Sequence, residues 1–132
     1  LGVVRDGSER RALHSASLAD QVVVADARDP VEVSEAVLAA GGPADVTVVC
    51  VDVPGCEGGA ILATAQGGTV VFFSMATSFP AAALAAEGLA ADVTMIIGNG
   101  YVPGHADYAV ELLRSEPGIR RLYDARLSGR PG

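Results

Sequence analysis

Hydrophobic residues fall along the chain in short, mostly β-branched runs, separated by longer segments whose apolar residues recur at helical spacing. The runs are Leu1–Val4, Gln21–Ala25, Val46–Val53, Thr69–Phe73 and Val93–Ile97. Each is too short for a helix and gives way to small or polar residues, which predicts strands. The most uniform is Val46-Thr47-Val48-Val49-Cys50-Val51-Asp52-Val53, introduced by Gly41-Gly42-Pro43 and closed by Pro54-Gly55. Polarity enters it only near the carboxyl end, the pattern of a strand buried on both faces of a helix-covered parallel sheet.

The intervening segments carry helix signals. Asp6 or Ser8 can cap a helix over Glu9–Ser17. Asp29 before Pro30 supplies a cap with proline at the first helical position, and Val31, Ala36, Val37 and Leu38 hold an apolar face until Gly41-Gly42. Glu57–Gln66 has a weak helical period through Ile61 and Leu62 and ends at Gly67-Gly68. Pro80–Glu87 is alanine-rich, suited to close helix packing, and closes at Gly88. A helix from His105 to Arg114 aligns Ala106, Ala109, Val110 and Leu113, a short one covers Ile119–Arg126, and residues 128–132 form a flexible tail. Strands alternating with helices predict right-handed crossovers: an α/β, Rossmann-like, doubly wound parallel sheet over residues 1–127.

Composition narrows the function. A chain of 132 residues suits one domain, and a net charge of -7 with nine scattered cations argues against a nucleic-acid partner. No apolar run approaches the roughly 20 residues of a membrane span, and no signal-peptide layout opens the chain. Cys50 and Cys56 match neither a zinc pattern nor a disulfide framework, so we expect reduced thiols, no metal site and a cytoplasmic location. Every cation is arginine. The lack of lysine excludes a phosphate loop ending in Gly-Lys-Ser/Thr and any Schiff-base chemistry housed in this chain alone.

Three strand ends are chemically distinctive: Val4-Arg5-Asp6, Cys50-Val51-Asp52-Val53-Pro54 and Ser74-Met75-Ala76-Thr77. In a doubly wound sheet they lie along one edge, where a dinucleotide would set its adenosine ribose, its adenine and its nicotinamide in that order. The expected cofactor contacts are Arg5, Asp6, Asp26, Cys50, Val51, Asp52, Ser74, Met75, Ala76, Asn99 and Gly100. Gly98 and Gly100 allow close backbone approach beside Asn99 and Tyr101. For Asp52 the plainer alternative is a loop aspartate bonding its own turn. His105 reads first as a surface or capping residue, and His14 as exposed. The glycine fingerprint Gly-x-Gly-x-x-Gly is missing, and its strand normally precedes the one that opens here, so we expect a piece of a longer polypeptide lacking the first strand and the glycine-rich loop. Arg5 stands where an acidic residue normally binds the ribose, which leaves NAD and NADP both open.

The segments Val22–Pro30, Thr69–Phe79 and Met95–Tyr101, with Gly104-His105-Ala106, resemble the L-erythro-3,5-diaminohexanoate dehydrogenases of the medium-chain, alcohol-dehydrogenase-like superfamily. The resemblance covers nearly the whole chain. It implies NAD(P)-dependent oxidative deamination in lysine fermentation, with this chain the cofactor-binding part, inactive alone. It transfers no catalytic residue. It further implies a small-molecule substrate and a homo-oligomer paired through the Val93–Ile97 edge. Alternatives are another medium-chain NAD(P)-dependent dehydrogenase or reductase, or a non-catalytic flavodoxin-like ligand-binding module. The phosphoacceptor form of that module needs a lysine at a late strand end, which this chain lacks.

Overall fold

The computed structural model describes residues 1–98 and 100–129. The chain divides into two compact units, Leu1–Val24 with Gly100–Gly132, and Ala25–Asn99.

In the first unit, strands β1 (Gly2–Val4) and β2 (Val22–Val24) pair in parallel, Gly2 opposite Val22 and Val4 opposite Val24. Helix α1 (Gly7–Ala16) connects them. Asp6 starts it from an extended conformation, its carboxylate accepting from the Ser8 and Glu9 amides. The capping aspartate was legible, although the helix begins two positions earlier than its periodicity suggests. Helices α5 (His105–Ser115) and α6 (Pro117–Leu127) complete the unit, and α6 packs on α1. That packing is close because Gly118 lacks a Cβ, which would collide with the Ala16 carbonyl oxygen. The expected apolar face of α5 stays in water: none of its residues is buried, since the helix rests mainly on α6 alone.

The second unit holds β3 (Ala44–Val49), β4 (Thr64–Phe72) and β5 (Thr94–Ile97), parallel and in that order across the sheet. Its helices are α2 (Pro30–Ala39), α3 (Glu57–Leu62) and α4 (Phe79–Gly88). All pairings are parallel and the class is α/β as expected, but the strands form two sheets among the described residues, not one.

Strand β4 is the central strand, and it supplies the core. Val70 and Phe72 are fully buried with Val49, Cys56, Ala60, Ile61 and Ala82. A second cluster joins Ala25, Val33, Val37 and Ala63. Ala82 confirms close packing as the role of the alanine-rich helix.

Two expectations need correction here. The Val46–Val53 run is neither strand throughout nor buried on both faces: β3 stops at Val49, and Val46 and Val48 are 60% and 56% exposed. It lies at the edge of its sheet with helices covering one face, so alternate valines meet water. The helix expected to reach Gln66 stops at Leu62, and β4 begins at Thr64. Its register slips there: Ala44 faces Thr64, yet Val46 faces Thr69. The excess residues bulge outward, with Gly67 at φ 76° and its amide 2.6 Å from the Asp92 carbonyl oxygen. A bulge breaks the period of two that would reveal the strand.

Candidate functional site

Parallel pairing brings the carboxyl ends of β3, β4 and β5 together at one edge of their sheet. The Phe73 amide donates to the Val49 carbonyl at 3.0 Å and the Gly98 amide to that of Phe72 at 3.1 Å, which fixes the level at which each strand ends. Beyond β3 come Cys50, Val51 and Asp52, all exposed, and beyond β4 come Phe73, Ser74, Met75 and Ala76. Apolar side chains at these two strand ends therefore reach water: Val51 is 42%, Phe73 53% and Met75 83% exposed.

The loop after β4 is tightly built. The Ser74 hydroxyl accepts from the Ala76 amide at 3.1 Å, and the Thr77 amide donates to the Ser74 carbonyl at 3.3 Å. Ser78 then caps α4 by accepting from Ala81 at 3.3 Å. Its own amide donates to the carboxylate of Glu57, 2.8 Å away and 21 residues earlier in the chain. Glu57 is only 2% exposed, a charge-bearing group taken from water by the fold. The Thr77 hydroxyl is buried with no hydrogen-bond partner among the described residues. Such a group costs about 1–3 kcal/mol.

The remaining expected contacts are placed as follows. Asp26 is engaged by Arg28, whose Nε and Nη2 donate to its two oxygens at 3.0 and 2.7 Å, with the Arg28 amide adding a third bond at 3.0 Å. These bonds, the side-chain ones foremost, lower the Asp26 pKa to about 2 and raise that of Arg28. Asp52 is exposed, with no hydrogen bond to its own turn among the described residues. Asn99 lies outside the described residues, and Gly100 is exposed in the first unit.

Arg5 and Asp6 also belong to the first unit. Arg5 reaches Glu9 at 2.8 Å and Asp6 at 3.4 Å, while Asp6 is committed to the helix cap. The Ser8 hydroxyl, then the Glu9 amide, pull the Asp6 pKa down to about 2. A cleft of about 700 Å³ lies in this unit beside Val4 and Glu9, with Leu13, Leu122, Tyr123 and Arg126 on its walls. His105 stays local: its Nδ1 is 2.9 Å from the Val102 carbonyl and its ring meets Tyr101 edge-on at 5.0 Å. His14 is exposed, as expected.

The residue that sequence reasoning missed is Glu57. It reads as an ordinary acidic residue in a first helical turn, and only the fold reveals its burial. Both cysteines are free, as expected; Cys50 is exposed and Cys56 buried. Burial, and then the neighbouring Glu57 charge, push the Cys56 thiol up. Among the described residues no helix is long and apolar enough to cross a membrane.

Comparison with known proteins bears out the resemblance read from the sequence. The chain is 45% identical over 126 residues to L-erythro-3,5-diaminohexanoate dehydrogenase of Acetoanaerobium sticklandii, over 94% of this chain and 37% of that enzyme. It is 43% identical over 126 residues to the dehydrogenase of the same name from Fusobacterium nucleatum, over 94% of this chain and 36% of the relative. The chain thus spans little more than a third of the length of the curated relatives it matches. No protein-family model matches it.

Proposed function

We propose that this chain is the cofactor-binding part of an NAD(P)-dependent dehydrogenase that oxidatively deaminates L-erythro-3,5-diaminohexanoate. The observation that carries the reading is the 45% identity, sustained over 126 residues, to an enzyme named for that activity. In the reaction a hydride leaves the substrate carbon bearing the 3-amino group for the nicotinamide. Water then replaces the imine nitrogen, giving 5-amino-3-oxohexanoate and ammonia. The reaction class belongs to lysine fermentation in the cytoplasm, and the cofactor is NAD or NADP.

The residues present fit such a cofactor. Adenine and nicotinamide are flat rings with apolar faces and polar rims, and the ends of β3 and β4 offer exposed Val51, Phe73 and Met75 beside a serine-rich backbone. In this reading Val51, Asp52 and Cys50 border the adenine, and Ser74, Met75 and Ala76 the nicotinamide. The outer edge of β5 has no strand beside it among the described residues, which suits pairing with a second copy.

The test is a titration of the intact polypeptide carrying this chain with NADH and with NADPH, following nucleotide fluorescence, then an assay of nucleotide reduction with the diamino acid. Saturable enhancement by one nucleotide and substrate-dependent reduction are expected. Failure of both nucleotides to bind would sink the reading.

A further inference from the structure

We propose that Glu57 is a positioning residue for the β4–α4 loop, holding Ser74–Thr77 in the form that receives the nicotinamide end of the cofactor. The proposal rests on the functional reading above and extends it to a residue that touches no ligand itself.

Three observations carry it. The first is placement: Glu57 belongs to the segment that follows β3, while its hydrogen-bond partner, the Ser78 amide at 2.8 Å, closes the segment that follows β4. One bond therefore ties together the loops at two neighbouring strand ends. The second is burial. At 2% exposure the Glu57 side chain has no water to fall back on, so the Ser78 amide cannot leave it without stranding a buried polar group.

The third is the loop's own composition. Within it the Ser74 hydroxyl accepts from the Ala76 amide and the Ser74 carbonyl from the Thr77 amide, and it encloses the Thr77 hydroxyl, buried with no hydrogen-bond partner among the described residues, a group whose burial favours opening. A tie from outside the loop opposes that tendency. Glu57 supplies such a tie from 21 residues earlier, through the Ser78 amide at the loop's end.

The experiment compares Glu57→Gln, Glu57→Asp and Glu57→Ala in the intact polypeptide. Gln keeps the length and an accepting oxygen while losing the charge. Asp keeps the charge but is one methylene too short to reach Ser78. We expect Gln to retain the wild-type NADH or NADPH affinity within about twofold. Asp and Ala should weaken it by roughly tenfold or more and accelerate hydrogen exchange at the Ser78 amide by a similar factor. Rescue by Gln separates loop positioning from bulk charge, and Asp decides the matter should the Ala variant fail to fold. Wild-type affinity and Ser78 exchange in the Asp variant would overturn the proposal, as would a Gln variant impaired as badly as Asp. If the wild type binds neither nucleotide, the functional reading falls, and unchanged Ser78 exchange in the Asp variant overturns the positioning role on its own.

Discussion

The hydroxyls of Thr47 and Thr64 lie 2.7 Å apart, and that of Thr64 also donates to the Ala60 carbonyl oxygen at 2.7 Å. The single Thr64 proton is thus spent on α3, and Thr47 must be the donor between the pair. The relay runs from β3 through β4 to α3 and ties edge strand, central strand and covering helix at one point. Thr64 is 7% exposed, so no water substitutes for it.

Thr64→Val should therefore lower stability by about 1–3 kcal/mol, because it leaves the Thr47 hydroxyl without its acceptor. Adding Thr47→Val should recover part of the loss, since both polar partners are then gone. Urea denaturation of the two single variants and the double variant measures the coupling. Strict additivity would show that the relay contributes nothing.

Ala90→Gly should raise stability by roughly 0.5–1 kcal/mol. Helix α4 runs through Gly88, and Ala90 just beyond it takes the left-handed conformation at φ 49°. Its amide bonds the Glu87 carbonyl at 3.1 Å, and the Ala91 amide reaches back to that of Ala86 at 2.9 Å. That is the paired-bond ending which glycine normally supplies, here made with a Cβ. A thermal melt that drops on substitution would show that the alanine methyl contributes more packing than strain.

Acid should loosen α1 within a defined window. Asp6 has its pKa lowered from 3.8 to about 2, so its folded form holds the proton less tightly than the unfolded chain does. Its contribution is complete above the ordinary value and is lost as the pH falls from about 4 toward about 2. Asp6→Asn should flatten this part of the stability profile, read from denaturation midpoints across the range. An unchanged acid limb in the Asn variant would show that other carboxylates govern it.

Local chemistry was the legible part of this chain. Asp29 caps α2 through the Val31 and Glu32 amides with Pro30 at its start, and Asp6 caps α1, because a cap depends on neighbours within a few residues. Parallel pairing also followed from the alternation of strands and helices. Part of what escaped the sequence depends on partners far along the chain. Val46 and Val48 read as buried because β-branched residues say nothing of how many faces are covered. Gly88 read as the end of α4, yet the left-handed turn falls on Ala90. Of the candidate site, the segments after β3 and β4 lie at adjoining strand ends, as parallel pairing of those strands requires, whereas the pairing of Asp26 with Arg28 two residues on went unread and the tie from Glu57 to Ser78 became visible only through the fold.

One thiol in water and one sealed in the core turn this stretch of chain into its own reporter. An alkylating dye at neutral pH should mark Cys50 and spare Cys56, whose burial keeps it in the unreactive protonated form. A fluorophore would then sit at the end of β3 without any engineered attachment point. Labelling at Cys56, located by peptide mapping, would count, molecule by molecule, how often the interior opens.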